Sequence, residues 1–480
     1  MPLALFLGLC IAFLVSGFAS AGDIKIVSVD PYTNVTSYHR TEVEPDTYSF
    51  ANTVMGVHQT GRFQDGGSSN VGYVVSTDGG TTWTRGFLPG TTVFANPPGP
   101  WGRATDPSVA YDPAHDVWMV NILAMTGTTG KAILVSRSTD GGLTFGNPVT
   151  VASTQGSQFF DKNWIACDTT PSSPFYGTCY TEWDDANTGN KLHVARSTDG
   201  GLSWTASSVP SASVVGGQPV VQPDGTVVMP IDNGSETFVN SFVSADGGAS
   251  FQGPFPISFI TAHLVAGNLR VHELPSAEVD ATGRVYTVWN DCRFRSGCSS
   301  NDIVMSTSTN GQSWTPVVRI PIDAANSTVD HFLPGIGVEP GTGGDTAHLG
   351  LLYYFYPVST CSAATCQLSV GYIESFDGGA TWTEPVTVSR MRNTWLPLTT
   401  QGYMVGDYMS TSFVGGLAFP VFMVARQGTC QLGQITSCTV PSVVPTAGLM
   451  GGPGRVPVRD DPILYTGPSQ TGFRGLRQAN

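Results

Sequence analysis

The chain has 480 residues, of which only 12% are charged, and it contains 57 glycines and 33 prolines. This composition favours many short strands joined by tight turns and argues against a fold of long helices. The formal net charge of −14 argues against nucleic acids and anionic membranes as partners, because both repel an acidic surface.

The N-terminus has an apolar run over residues 3–18, followed by the small residues Ala19-Ser20-Ala21. This pattern is typical of a secretory signal, so we predict a signal peptide over residues 1–21 and a secreted mature protein. No Lys or Arg precedes the run, which leaves an uncleaved anchor as the alternative. No later segment is long and apolar enough to span a bilayer, so no membrane span is expected after signal removal.

Eight cysteines follow the signal as four close pairs. In an exported chain, short local loops of this kind predict disulfides, whereas a zinc site would need a tighter set of four ligands. The predicted disulfides are Cys167–Cys179, Cys292–Cys298, Cys361–Cys366 and Cys430–Cys438. We predict no metal site, although the aspartate-rich loops could take calcium.

An eight-residue pattern, Ser-x-Asp-Gly-Gly-x-Thr-Trp, recurs along the chain after alternating apolar residues. Asp can bond its own backbone two residues on, the glycines supply positive φ, and the closing aromatic fills a gap between units. Each copy is therefore predicted to be a structural hairpin turn. Copies begin at Ser76, Ser138, Ser197, Ser244 and Ser375, and a degenerate copy runs from Thr307 to Trp314 with Thr309 and Asn310 in place of Asp and Gly.

Repeats at intervals of roughly 50 to 70 residues are typical of propellers and solenoids. The pattern resembles the Asp-box, or bacterial neuraminidase repeat, of the sialidase-like β-propellers. That resemblance implies an all-β fold, namely a β-propeller of four-stranded antiparallel blades in which Asp-box hairpins join the third and fourth strands. Residues 406–425 repeat the opening of a unit without the box. We therefore predict seven blades, with six blades, as in true sialidases, as the alternative.

The predicted units follow one another in chain order. A strand at residues 24–29 precedes the first unit and is expected to join the last blade. Six units begin near residues 41, 103, 161, 218, 272 and 330, and a seventh begins near residue 406. The predicted domains are the signal at 1–21, the propeller at 22–440, and a Pro/Gly-rich end of the last blade and tail at 441–480.

Strands alternate direction in such a blade, so the start of the first strand and the end of the second lie at one rim. The boxes lie at the opposite rim. Charged residues concentrate at the first rim, where we predict the binding mouth. Arginines there could hold a sugar carboxylate bidentately. The predicted substrate-binding residues are Arg62, Arg103, Asp161, Lys162, Arg293, His331, Asp407 and Arg426.

Glycoside hydrolysis needs a carboxylic acid of raised pKa at the leaving group and a second carboxylate, or a Tyr, at the sugar. The resemblance to sialidases implies Asp106 as acid/base, Tyr403 as nucleophile and Glu273 as its partner. The sialidase Phe-Arg-Ile-Pro motif is matched only by Arg319-Ile320-Pro321, which follows the fifth box. The full set of catalytic candidates is Asp106, His272, Glu273, Asp291 and Tyr403.

We therefore predict a secreted, monomeric, sialidase-like exo-glycosidase that acts on acidic glycans without a cofactor. One alternative is a polysaccharide lyase for uronic acids, in which His272, His331 or Tyr403 would be the base. The other is a non-catalytic propeller that binds glycans or proteins, because a fold of this kind does not by itself determine activity.

Overall fold

The computed structural model describes residues 23–435 and 437–457, so the predicted signal peptide lies outside the described residues. This part of the chain is all-β, with antiparallel sheets, as predicted. Its helices are single 3-10 turns at Ala186–Thr188, Ser296–Cys298, Gly344–Thr346 and Asn393–Trp395. None of the helices over the described ranges has the length and apolar character that crossing a membrane requires.

A short strand, β1 (Ile24–Ile26), precedes three groups of four antiparallel strands, each paired in chain order, and each group is called a sheet below. A single pair, Ser68 with Ala104, joins the first two groups into one eight-stranded sheet. Sheet one contains β2 (Glu42–Phe50), β3 (Thr53–Arg62), β4 (Ser68–Ser76) and β5 (Thr84–Phe87). Sheet two contains β6 (Arg103–Asp112), β7 (Val117–Thr126), β8 (Thr129–Ser138) and β9 (Val149–Ser153). Sheet three contains β10 (Phe160–Cys167), β11 (Cys179–Asp185), β12 (Lys191–Ser197) and β13 (Thr205–Ala206).

Three further sheets follow the same plan, with an interrupted first strand in sheet four. Sheet four contains β14 (Val214–Val215), β15 (Val220–Val221), β16 (Val227–Asn233), β17 (Phe238–Ser244) and β18 (Gln252–Phe259). Sheet five contains β19 (Ser276–Val279), β20 (Val285–Asp291), β21 (Asp302–Ser308) and β22 (Val318–Arg319). Sheet six contains β23 (Asp330–Val338), β24 (Leu349–Tyr356), β25 (Gln367–Ser375) and, after β26 (Thr381–Glu384), β27 (Val386–Arg392).

The rest of the described chain forms short strands. They are β28 (Leu398–Thr399), β29 (Gly402–Tyr403), β30 (Phe413–Val414), β31 (Leu417–Ala418), β32 (Phe422–Met423), β33 (Ser442–Pro445) and β34 (Gly452–Pro457). The N-terminal strand β1 pairs with β33, which also pairs with β32, so the start of the described chain shares a sheet with two strands from residues 422–445. The last strand, β34, pairs with β26 beside sheet six.

The first strands of neighbouring sheets are joined by hydrogen bonds. Val109 N donates to Asp46 Oδ2 at 2.8 Å, Asn163 Nδ2 donates to Asp106 O at 2.9 Å, and Ile336 N donates to Ser276 Oγ at 3.2 Å. Ser410 Oγ donates to Asp46 Oδ1 at 2.6 Å, and Thr411 Oγ1 donates to Gly335 O at 2.8 Å. The segment that carries Ser410 and Thr411 therefore lies between sheets one and six.

Each eight-residue repeat forms the turn between the third and fourth strands of its sheet. In the first copy, Ser76 Oγ donates to Asp78 Oδ1 and accepts from Gly80 N, both at 2.8 Å. The side chain and the backbone N–H of Thr82 also donate to Asp78, at 2.6 and 2.8 Å. These hydrogen bonds lower the pKa of Asp78 to about 2, because they favour its ionised form.

The degenerate copy has a different register from the one expected. Ser308 and Asn310, rather than Thr307 and Thr309, take the places of the repeat's Ser and Asp: Ser308 Oγ lies 3.2 Å from Asn310 Oδ1 and accepts from Gly311 N at 2.8 Å. The turn is one residue shorter than the other copies, because a single glycine stands where they have two.

From the second copy onward, the second glycine of each full copy and the single glycine of the degenerate copy pack against the preceding sheet, with a positive φ. A Cβ on any of these glycines would lie only 2.1–2.8 Å from a side-chain atom of that sheet. The pairs are Gly142 with Met55, Gly201 with Met119, Gly248 with Tyr180, Gly311 with Val228, and Gly379 with Met305. In the first copy, Gly80 meets Phe419, which follows β31 near the end of the chain.

Apolar side chains fill the space between adjacent sheets. Between sheets one and two, for example, Val57 and Tyr73 belong to the same buried cluster as Trp118 and Val120. All four predicted disulfides are confirmed: Cys167–Cys179, Cys292–Cys298, Cys361–Cys366 and Cys430–Cys438. Each closes a local loop, so the order of the sheets depends on packing between them and not on cross-links.

The two glycines of the first copy provide a matched test of this packing. Both have positive φ, but a Cβ on Gly79 would have its nearest neighbour at 3.7 Å, whereas one on Gly80 would lie 2.3 Å from the Phe419 ring. We expect Gly79→Ala to lower the free energy of unfolding by about 1 kcal/mol through backbone strain. Gly80→Ala should lower it by about 3 kcal/mol, because the rigid ring must move. Denaturant unfolding measures both, and equal losses would contradict the close contact.

Buried carboxyl groups make the stability depend on pH. Burial raises the pKa of both Glu42 and Glu278 to about 8, and Glu42 also accepts hydrogen bonds from Ser28 Oγ at 2.7 Å and Ser442 N at 2.9 Å. A carboxyl whose folded pKa is raised stabilises the fold below its unfolded pKa. That stabilisation is lost as the pH rises through the folded pKa, because folding then forces the burial of a charge.

We therefore expect the Tm to fall by roughly 5 °C between about pH 5 and pH 8. The substitution Glu42→Gln, which keeps the shape of the neutral acid, should reduce this slope. Glu384→Gln, at an exposed position, should not change it. Thermal melts of the three proteins across this pH range test the prediction, and a Tm that rises toward pH 8 in the wild type would refute it.

Candidate functional site

The candidate site begins with a β-bulge that recurs in the first strands. The ladder shifts register in β2, β6 and β10, and a non-glycine residue with positive φ lies at each shift: Glu44 (φ 54°), Asp106 (φ 48°) and Lys162 (φ 53°). Leu333 has the same place in β23. Such backbone costs on the order of 1 kcal/mol per residue and concentrates at functional sites. Three of the four bulges thus carry a buried ionisable side chain.

Asp407, in the segment between sheets six and one, connects this region to sheet three and to the segment that precedes sheet five. Its fully buried carboxylate accepts hydrogen bonds from Arg270 Nε at 2.7 Å, from Arg270 Nη2 and from Lys162 Nζ. His272 Nε2 lies 4.0 Å from Asp407 Oδ1. Burial opposes ionisation of this carboxyl, but the charges of Arg270, Lys162 and His272 prevail and hold its pKa well below the usual range.

Glu44 lies at the other side of the cluster, in a chain of side-chain contacts with Gln59 and Arg62. Gln59 Nε2 donates to Glu44 Oε2 and, at 2.7 Å, to Thr105 Oγ1, while Arg62 Nη1 donates to Gln59 Oε1 at 2.9 Å. Burial, reinforced by the charge of Asp106, raises the pKa of Glu44 to about 8. The carboxyl of Glu44 is therefore mainly neutral at pH 7.

Among the contacts of Glu44, Gln59 and Arg62, two buried atoms have no hydrogen-bond partner within the described ranges: Glu44 Oε1 and Arg62 Nε. Buried polar atoms are nearly always hydrogen-bonded, so two unpaired atoms in one cluster need an explanation. Burial, followed by the nearby charge of Arg270, also lowers the pKa of Arg62 to about 10. An anionic ligand that accepts from Arg62 Nε would pair this atom and offset the cost of burying the guanidinium charge.

A histidine completes the cluster. His272 Nδ1 lies 3.0 Å from Glu236 Oε2, and Glu236, in the turn between β16 and β17, is itself a residue with positive φ. The imidazole therefore lies between Glu236 on one side and Asp407 on the other. Such a carboxylate–imidazole arrangement can orient a proton donor or acceptor.

A small pocket reaches this cluster at Lys162. Lys162 forms part of its lining, together with Gln218, Pro275 and the two aromatic residues Trp164 and Tyr408. The rings of Trp164 and Tyr408 meet edge to face with centroids 4.9 Å apart. The two aromatic rings therefore lie beside Lys162 in this pocket, an arrangement that suits a ligand with both polar and apolar faces.

The structure brings five of the sequence-predicted residues together: Arg62, Asp106, Lys162, His272 and Asp407. Three members of the cluster were missed, namely Glu44, Glu236 and Arg270. A signal for Glu44 was present, because Glu44-Pro45 stands in the first unit where Asp106-Pro107 stands in the second. Arg270 stands two residues before His272, just ahead of the predicted start of its unit.

Three predicted residues lie on neighbouring backbone. Tyr403 is half-buried in β29, and its carbonyl oxygen accepts from Arg270 N at 2.8 Å. Glu273 is buried and follows His272 directly. Asp161 precedes Lys162 and stands opposite Asp184 in the β10–β11 ladder.

The other predicted residues are engaged elsewhere. Arg103 is paired with Asp65 at 2.6 Å, and Arg293 is paired with Asp291 at 2.6 Å. Arg426 is exposed and bonds through its backbone to Thr439. His331 is buried against Asn301 O, with Nδ1 at 3.3 Å. These arginines are therefore neutralised by a local carboxylate or lie away from the cluster.

One group in the described part of the chain has the spacing of a metal site: Asp302, Asp323 and His331. Arg295 donates to both aspartates, at 2.6 Å in the case of Asp323, and Arg319 is paired with both as well. A cation would have to displace two guanidinium groups that already neutralise these carboxylates, so the donor set does not suit a metal.

No protein-family model and no curated protein matches this chain. Among solved structures, an intramolecular trans-sialidase from Ruminococcus gnavus is 12% identical over 70% of this chain and 94% of its own, with a TM-score of 0.47. A Dyadobacter fermentans protein of unknown function is 16% identical over 74% and 99%, with a TM-score of 0.46. A leech intramolecular trans-sialidase is 13% identical over 70% and 67%, with a TM-score of 0.48. Likenesses this distant assign no activity to the chain.

Proposed function

We propose that this chain is a secreted glycoside hydrolase of the sialidase type, built as a seven-bladed β-propeller, that releases acidic sugars from glycans. The observation that carries the proposal is the pair of buried carboxyl residues on neighbouring bulges, Glu44 and Asp106, surrounded by Arg62, Lys162 and Arg270. Carboxyl groups whose environments differ, set among cations that can hold a sugar carboxylate, suit glycosidase chemistry at an acidic sugar.

Several features support the propeller. The six four-stranded sheets follow one another along the chain, and the segment with Ser410 and Thr411 lies between the sixth and the first. The glycine contacts run from each repeat to the preceding sheet, and the contact of Gly80 with Phe419 joins the first repeat to the end of the chain. The sheet formed by β32, β33 and β1 is the proposed seventh blade. The four disulfides fit the proposed export.

In the proposed reaction, Glu44 is the general acid because it holds a proton at neutral pH. The charge of Asp106 nearby helps to keep that proton on Glu44. Arg62 and Arg270 hold the sugar carboxylate, since guanidinium groups bind carboxylates bidentately. Tyr403 remains the proposed nucleophile with Glu273 as its partner, as the sequence resemblance implies. We propose no cofactor, and a monomer as the active form.

The mature protein is tested on a fluorogenic sialoside. We expect Glu44→Gln to lower kcat by about 10²–10⁴-fold, because the amide cannot give a proton to the leaving oxygen. In the wild type, activity should fall above about pH 8 as Glu44 ionises. The control is Glu384→Gln, which makes the same change at an exposed position and should keep full activity.

A parallel assay follows absorbance near 235 nm on a uronate polymer. Growth of an unsaturated product there, with no sialic acid release, would replace the hydrolase with a lyase in which His272 is the candidate base. Silence on both substrates would contradict the enzymatic proposal and favour a glycan-binding propeller. Full activity of the Glu44→Gln protein would remove Glu44 from the role of general acid while leaving the hydrolase in place.

A further inference from the structure

His348 lies at the end of sheet six that carries the repeat turn, and both of its ring nitrogens face carboxylate oxygens. Nδ1 lies 2.8 Å from Glu339 Oε2, and Nε2 lies 3.3 Å from Glu374 Oε2. Glu339 directly follows β23, Glu374 belongs to β25, and His348 directly precedes β24. One buried imidazole therefore joins three successive strands of this sheet at their turn ends.

This geometry requires a charged imidazolium. A neutral imidazole has one N–H and one bare nitrogen, so one of the two carboxylates would face a lone pair. The ring also stacks on Phe376 with centroids 4.3 Å apart and meets Phe413 at 4.7 Å, and both aromatic rings favour a positive charge. Burial opposes the charge on His348, but the hydrogen bonds to Glu374 and Glu339 prevail and raise its pKa above the ordinary value.

Glu374 connects this histidine to the C-terminal strand. Its Oε1 accepts from Gly451 N at 2.8 Å, and its Oε2 also accepts from Tyr372 Oη at 3.1 Å. Gly451 directly precedes β34, which pairs with β26. A Cβ on Gly451 would lie 2.0 Å from Thr383 Oγ1 of β26, so the backbone approaches β26 closely at this point. The carboxylate that His348 neutralises thus also fixes the chain where β34 begins.

Loss of the proton from His348 would break this connection. One ring nitrogen would then face a carboxylate oxygen with lone pair against lone pair. Glu374, which is 4% exposed, would become a buried charge without its counter-charge. Both costs are relieved when the carboxylate turns toward water, and that movement takes it away from Gly451 N. The titratable groups that face the imidazole are Glu339 and Glu374, with Tyr372 behind Glu374.

We infer that His348 is a pH-dependent clasp: its charged form holds the C-terminal strand β34 on β26, and its neutral form releases it. The stabilisation is fully present below the pKa of an unfolded histidine and is lost as the pH rises through the higher value of the folded protein. Release would open the backbone edge of β26 to pairing with another chain. The inference is separate from the proposed function, because none of these residues belongs to the charged cluster.

Amide hydrogen exchange of the full chain, followed by peptide mass spectrometry at about pH 6 and about pH 9, tests the clasp. Each observed rate is compared with the intrinsic rate at the same pH, because exchange itself accelerates with pH. We expect the protection of β26 and β34 to fall at least about tenfold between the two conditions, and that of β7, in sheet two, to change less. Equal protection of β26 and β34 at both pH values would overturn the inference.

Three variants identify the group responsible. His348→Gln removes the titrating charge, so β34 should lose about tenfold of its protection already at about pH 6. Glu339→Gln removes only the more exposed of the two carboxylates, so β34 should stay protected at acidic pH but be released at a lower pH than in the wild type. The matched control, His115→Gln, breaks a histidine–aspartate pair in the turn of sheet two and should behave like the wild type.

A folded His348→Gln protein that keeps the wild-type protection of β34 at about pH 6 would overturn the inference. If that variant does not fold, Glu339→Gln decides, and an unchanged pH of release would overturn it as well.

Nitrogen-15 NMR of the histidine-labelled protein distinguishes a clasp from a contact that is only structural. The ring nitrogens of His348 should report an imidazolium at about pH 6 and lose the proton above the ordinary histidine range. The midpoint of that change should coincide with the loss of β34 protection. A ring that loses its proton while β34 stays protected would refute the clasp, and so would a ring that is already neutral at about pH 6.

Discussion

The fold depends on a steric constraint: the repeat turns can approach the preceding sheet only where there is no Cβ. At Gly142, Gly201 and Gly248 a methyl group would overlap a side chain of the preceding sheet. The turn that closes one hairpin therefore also packs against the preceding sheet. The serine and aspartate of the repeat fix the turn from within, and the N–H of the second glycine donates to the serine Oγ in the first and fourth copies alike. Local hydrogen bonding and packing between sheets are thus properties of the same eight residues.

The opposite ends of the sheets carry a different kind of interaction. There the first strands bulge at Glu44, Asp106 and Lys162, and their side chains enter a buried network of charges. Buried ion pairs are weak contributors to stability, because desolvation offsets most of the Coulomb attraction. A cluster that combines backbone strain, desolvation and unpaired atoms is better explained by ligand binding than by stability. The repeat turns at one end of the sheets therefore serve packing, whereas the buried charges at the other end are better suited to binding.

The sequence predicted the features that depend on neighbouring residues. The repeat turns, the four disulfides and the all-β class follow from local patterns, and the structure contains them. The site could be predicted only in part, because its partners are far apart in the chain, as in the contact between Lys162 and Asp407. Arg103 and Arg293 were indistinguishable from Arg62 as sequence candidates. Nearby aspartates, Asp65 and Asp291, engage the first two.

The bulges explain why Glu44, which was not predicted, belongs to the charged cluster. Glu42 and Glu44 stand two residues apart, so a regular strand would place both on the same face. The bulge at Glu44 separates them. Glu42 then faces Ser28 and Ser442 near the sheet of β1, β32 and β33, and Glu44 faces Gln59 and the charged cluster. A bulge of this kind has no firm signature in one sequence, apart from the proline that follows it here, and it decides which of two glutamates enters the site.

The raised pKa of buried carboxyl groups connects the site to the stability of the fold. Burial raises the pKa of Glu44 and Glu278 to about 8, and that of Asp46 to about 7. Each of these groups is easiest to bury with its proton, so the folded state is favoured at mildly acidic pH. The proposed proton donor is in its active form over the same range. Loss of the proton from Glu44 would therefore both remove the proposed general acid and destabilise the folded state. A substitution that stabilises the protein at alkaline pH by exposing this carboxyl to water would lower its pKa and so reduce activity.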